Sequence, residues 1–167
     1  MKRRAVNDRR MEDEVMKRLA CFFVLLLVLG IAPAVWAGAA EEVAQVIAKR
    51  VQAYNEGNLE AFMATVADDS VQTPDGSPFR LEGKDAIQAN LERVFQTFPT
   101  RRYIARQRSI RAYGDTTAVS NTYYTATLVD RTGKAITVHG RLSITFVKLG
   151  GRWLAVDQHA SVIPTSP

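Results

Sequence analysis

The sequence predicts an α+β domain: a cone-shaped, curved antiparallel sheet wrapped round three N-terminal helices. Three observations predict it. Apolar residues recur at helical spacing in three stretches before Pro99. From Arg101 onward the chain changes to strand-like runs rich in Thr, Val and Tyr. Those runs are divided by turns containing Gly, among them Gly114-Asp115, Asp130 to Gly133 and Gly150-Gly151. Helices followed by consecutive strands is the α+β order, and a long curved sheet covers the helices on its concave face.

The first 37 residues read as a separate piece. Met16-Lys17-Arg18 is a basic start, Cys21 to Ile31 an apolar run, and Val35-Trp36-Ala37 the small-residue end of a secretory signal peptide. Residues before Met16 fit an over-extended start or a long basic region. The alternative is an uncleaved anchor, which needs the apolar stretch to continue to Trp36. Export predicts a periplasmic or secreted protein with no membrane attachment after signal cleavage. Removing the leader leaves 15 basic and 13 acidic residues and lowers the formal charge from +5 to +2. That balance argues against a nucleic-acid partner. The one cysteine, Cys21, lies in the leader, so the mature chain needs no disulfide. Residues 38–164 form one domain and 165–167 a tail.

Gly38 to Asn58 is the first helix, with Val43, Ile47, Val51 and Tyr54 on its buried stripe and Glu41-Glu42 at its start. Leu59, Phe62, Met63 and Val66 predict a second helix, capped by Asn58 and ending at Asp68-Asp69. Val71 to Thr73 is a short strand. Pro74 to Pro78 is turn chemistry, and Phe79 to Glu82 a brief return. Ile87, Leu91, Val94 and Phe95 mark a third helix over Lys84 to Thr97, stopped by Pro99. Arg101–Tyr113, Thr116–Val129, Ala135–Lys148 and Arg152–Val162 make a four-strand meander.

The last strand suggests the pocket. Strict alternation puts Trp153, Ala155, Asp157, His159 and Ser161 on one face, with Ile144 and Phe146 across the hairpin. An acid, an imidazole and a hydroxyl beside large apolar residues is pocket chemistry. Asp157 and His159 are the candidate acid/base pair; a structural hydrogen-bond network is the other reading. Tyr54, Tyr124, Thr122, Arg111 and Ser161 are the candidate ligand-binding residues. Tyr124 faces Gly140 if the Asp130–Gly133 turn sets the register, which leaves it room as a pocket wall. No metal and no cofactor are expected, since His139 has the opposite parity and no ligand cluster is visible.

Tyr54-Asn55-Glu56-Gly57-Asn58-Leu59-Glu60, Ala67-Asp68-Asp69-Ser70-Val71 and Gly83-Lys84-Asp85-Ala86-Ile87 resemble, in order and spacing, the SnoaL-like domains of the nuclear-transport-factor-2-like superfamily. The ending Gly151-Arg152-Trp153, His159-Ala160-Ser161 and Pro164 is most similar to the calcium/calmodulin-dependent protein kinase II association-domain branch. The resemblance implies a cystatin-like α+β roll over Ala39 to Pro164. It also implies self-association, at least a homodimer. The branch's first terminal histidine is Asp157 here, and its cavity arginines fall at Tyr124 and Ile144. The tyrosine and aspartate of the superfamily's ketosteroid isomerases fall at Arg50 and Thr73, so that chemistry is not expected. Two readings of function follow. One is a small-molecule binding protein or enzyme with its site in the cone. The other is a non-catalytic association module.

Overall fold

The computed structural model describes residues 38–164. The predicted leader and tail lie outside the described residues. The helices are α1 (Ala39–Glu56), α2 (Leu59–Met63) and α3 (Lys84–Thr97). The strands are β1 (Val66–Thr73), β2 (Leu81–Glu82), β3 (Thr100–Tyr113), β4 (Thr117–Val129), β5 (Ala135–Leu149) and β6 (Arg152–Val162). They form one sheet in the order β2-β1-β6-β5-β4-β3. The expected meander is present as β3 to β6, every neighbouring pair antiparallel.

Two elements differ from expectation. The second helix stops at Met63 instead of running to Asp68-Asp69. The strand after it starts at Val66 and lies parallel to β6. The cause is tertiary. The Thr65 hydroxyl donates to the Phe62 carbonyl at 2.6 Å, while the Thr65 carbonyl accepts from the Ala155 amide at 2.8 Å. The sheet edge thus captures a segment whose apolar spacing alone reads as helix. The third helix matches its predicted bounds. The first ends at Gly57, whose φ of 73° is the left-handed conformation that favours glycine.

The concave face carries two apolar clusters. At the closed end, Val43 and Ile47 of α1 pack on Ala118, Ile144, Phe146, Trp153 and Ala155. Glu42 fastens this end, accepting hydrogen bonds from Trp153 Nε1 and Lys148 Nζ, each at 2.6 Å. The second cluster joins Ala53, Phe62, Met63, Val66, Ile87 and Leu91, binding the three helices to β1.

Two β-bulges interrupt the sheet. In β6, Phe146 pairs with Ala155 but Thr145 with Asp157, so Val156 is the extra residue. In β3, Arg106 pairs with Tyr123 and Ser109 with Asn121, so Gln107 and Arg108 oppose Thr122 alone. Gln107 there has φ 48°, in the left-handed region. A bulge exchanges the faces of every later residue in its strand.

Candidate functional site

The cone encloses a cavity of about 390 Å³ between α1, α3, the β1–β2 turn and the inner face of the sheet. Its position follows from the two clusters. The closed-end cluster packs against one half of α1. The other half, with Arg50 and Tyr54, lines the cavity.

Tyr54, Tyr103 and Tyr124 form the aromatic wall. Tyr103 and Tyr124 stack with ring centres 5.1 Å apart. The Tyr54 ring stands edge-on to Tyr103 at 6.1 Å and to Phe95 at 5.6 Å. Asn55 holds Tyr103 in place, its Oδ1 accepting from the Tyr103 amide at 2.6 Å and its Nδ2 donating to the Tyr103 carbonyl at 3.1 Å. The register does bring Tyr124 opposite Gly140. The tyrosine ring occupies the space a Gly140 side chain would need. Tyr124 donates a short hydrogen bond to Asp75, which the β1–β2 turn brings to the cavity.

A polar band crosses the cavity. Arg50 is only 5% exposed. It donates to Thr65 Oγ1 and to Gln158 Oε1, each at 2.7 Å, and stacks on Phe62 at 3.9 Å. Gln158 neighbours Gln72 across the parallel β1–β6 pair. The Gln72 Oε1 and Tyr103 Oη atoms are buried and have no hydrogen-bond partner among the described residues. Such atoms cost about 1–3 kcal/mol each. Burial pushes all three cavity tyrosines above the ordinary phenol value, so they are neutral donors near pH 7. For Tyr124 the bond to Asp75 adds to burial. Burial also lowers the Arg50 guanidinium to about 9.

Of the residues predicted from sequence, Tyr54, Tyr124 and Thr122 line the cavity. Asp157, His159, Ser161 and Arg111 do not. Asp157 and His159 are exposed on the outer face, paired with Thr145 and Ser143. Ser161 pairs there with Arg141, and Arg111 with Val119. Each error has one cause. Unbroken alternation would bring Asp157 opposite Ile144 and Arg111 opposite Ala118; each bulge shifts its strand by one. Gln158 and Ala160 take the inner positions instead, and Arg108 reaches the cavity from the β3 bulge. The Thr122 hydroxyl completes that bulge by bonding the Arg106 carbonyl at 2.9 Å.

Sequence reading missed Arg50, Gln72, Asp75, Tyr103 and Gln158. A signal existed for one of them: Asp157, His159 and Ser161 are too polar to continue a face begun by Trp153, whereas Gln158 and Ala160 suit a tapering pocket. The polar run Arg106-Gln107-Arg108-Ser109 likewise marks a break in alternation. Nothing local identifies Asp75, which reads only as a turn residue.

Residues 39–164 match the sequence pattern of the calcium/calmodulin dependent protein kinase II association domain. Among curated protein sequences none matches the chain. Among solved structures, a Xanthomonas campestris protein described as having that association domain is 27% identical. It has a TM-score of 0.68, over 75% of this chain and 89% of its own. An NTF2-like protein from Pseudomonas putida is 22% identical with a TM-score of 0.66, over 74% of this chain and 85% of its own. A Novosphingobium aromaticivorans protein described as a scytalone dehydratase is 17% identical with a TM-score of 0.68, over 75% and 84%. The last two likenesses establish the shared NTF2-like fold.

Proposed function

This chain belongs to the calcium/calmodulin dependent protein kinase II association domain family, and on that premise we propose that it is an exported domain that binds a small, largely apolar molecule in its cone cavity. The carrying observation is the cavity itself. About 390 Å³ lies within the range of ligand pockets, and its wall combines aromatic rings with a few buried polar groups. A domain built only to associate has no need of buried, unpartnered hydrogen-bonding atoms facing a void. Asp157 and His159 have no part in this site. The test is a ligand screen by thermal shift on wild type and on Ala160→Phe, which fills the cavity from β6. Ligands that stabilise the wild type should lose their effect in the variant. Equal shifts in both would remove the cavity reading.

The family supports a second role, self-association to at least a homodimer. The outer sheet face carries Tyr123, 43% exposed, beneath the guanidinium of Arg141. An exposed aromatic midway along β4 suits an interface core. Light scattering at tens of micromolar should give at least a dimer, and Tyr123→Glu should shift it toward monomer. A monomeric wild type would refute the association. Export is supported by the basic start, apolar run and Ala37. Mass spectrometry of the envelope protein should find an N-terminus at or within a few residues of Gly38.

A further inference from the structure

We propose that the cavity selects a neutral ring compound bearing a hydroxyl group, whose O–H donates to Gln72 Oε1. This rests on the cavity-binding reading above and names the ligand's chemistry.

Gln72 is 7% exposed and lines the cavity, and its Oε1 has no donor among the described residues. Tyr103 lines the same cavity, and its hydroxyl has no partner either. Native interiors leave few such groups, and they gather where a ligand completes them. Arg50 and Asp75 are already engaged, and Arg108 reaches the cavity from an exposed position. Arg50 is held by Thr65, Gln158 and the Phe62 ring. Asp75 accepts from Tyr124. What the buried part of the wall lacks is therefore a donor for Gln72 and a partner for Tyr103. A carboxylate has no proton to give Gln72 and would set its own lone pairs against that oxygen. A hydrocarbon leaves both groups unmet. A hydroxyl donates to Gln72, and the same or a second ligand oxygen accepts from Tyr103, whose proton burial retains. The ring requirement comes from Tyr54, Tyr103, Tyr124 and Phe62, whose rings line the cavity and favour an aromatic neighbour.

The experiment uses four probes that share a propylphenyl body: para-propylphenol, para-propylanisole, para-propylbenzoate and propylbenzene. Binding to the protein as purified from cells is measured by calorimetry and thermal shift. The phenol should bind about tenfold tighter than the anisole, in which a methyl group replaces the hydroxyl proton, and propylbenzene separates that lost donor from the added bulk. Gln72→Met should erase that preference. Tyr103→Phe should weaken phenol binding several-fold without lowering the unliganded Tm, because it deletes a hydroxyl that has no partner. If the anisole binds as tightly as the phenol, Gln72 presents its amino group and the inference fails while the cavity reading stands. If the benzoate binds tightest, a cavity arginine, Arg50 or Arg108, governs recognition and the inference again fails. If none of the four binds, both readings fall.

Discussion

The two ends of α1 face the same sheet and meet opposite conditions. Val43 and Ile47 pack in one cluster with Phe146, Trp153 and Ala155, and Ile47 forms the border with the cavity. Arg50 and Tyr54, two turns on, look into a cavity of about 390 Å³ lined by tyrosines, glutamines and a turn from another part of the chain. At the closed end, hydrophobic burial is complete, with Phe146 at 0% exposure. At the open end, buried polar atoms lack partners. One half of the domain is finished by its own side chains. The other leaves Gln72 Oε1 and Tyr103 Oη unmet beside a cavity.

The largest expected effect tests the closed end. Phe146→Ala should lower stability by about 3–5 kcal/mol in denaturant melts, as a fully buried aromatic leaves a cavity behind. A loss below about 1 kcal/mol would mean this end is not the tightly packed one. Next is the contact that shapes the open end. Gly140→Ala drives a methyl group into the Tyr124 ring and should cost about 1–3 kcal/mol. Tyr124→Ala in the same chain should recover most of that loss, giving a clear coupling energy in a double-mutant cycle.

Smaller effects test the outer face. Asp157→Asn and His159→Asn should each change stability by no more than about 0.5 kcal/mol and leave probe binding unchanged, since both side chains are exposed outside the cavity. Lost binding in either variant would return the site to that face. The smallest effect concerns the fastening of the closed end. Lys148 and Trp153 hold the Glu42 carboxyl below the ordinary carboxylate value. Its contribution is therefore present above that ordinary value and fades as pH falls through the lowered one. Acid melts of Glu42→Gln should show a shallower loss of stability in that window than wild type. Identical slopes would show the contact to be inert.

The sequence by itself determined the fold class and the elements apart from the extents of α2 and β1. The stripe Ile87, Leu91, Val94 and Phe95 is read from spacing alone, because a helix's buried face is a local property of 3.6 residues per turn. The turns at Asp130–Gly133 and Gly150–Gly151 set two registers correctly, so Tyr124 opposite Gly140 was legible in advance. Register is a local property only while alternation is unbroken. The bulges at Val156 and Gln107–Arg108 form where curved strands must fit their neighbours, and they decided that Asp157, His159, Ser161 and Arg111 face outward. The same applies to Asp75 and Gln72, which β1 carries to the cavity by pairing with a strand more than 80 residues away. No pattern within either segment encodes that meeting. It arises because the sheet edge offers unpaired backbone groups and β1 is the segment that satisfies them.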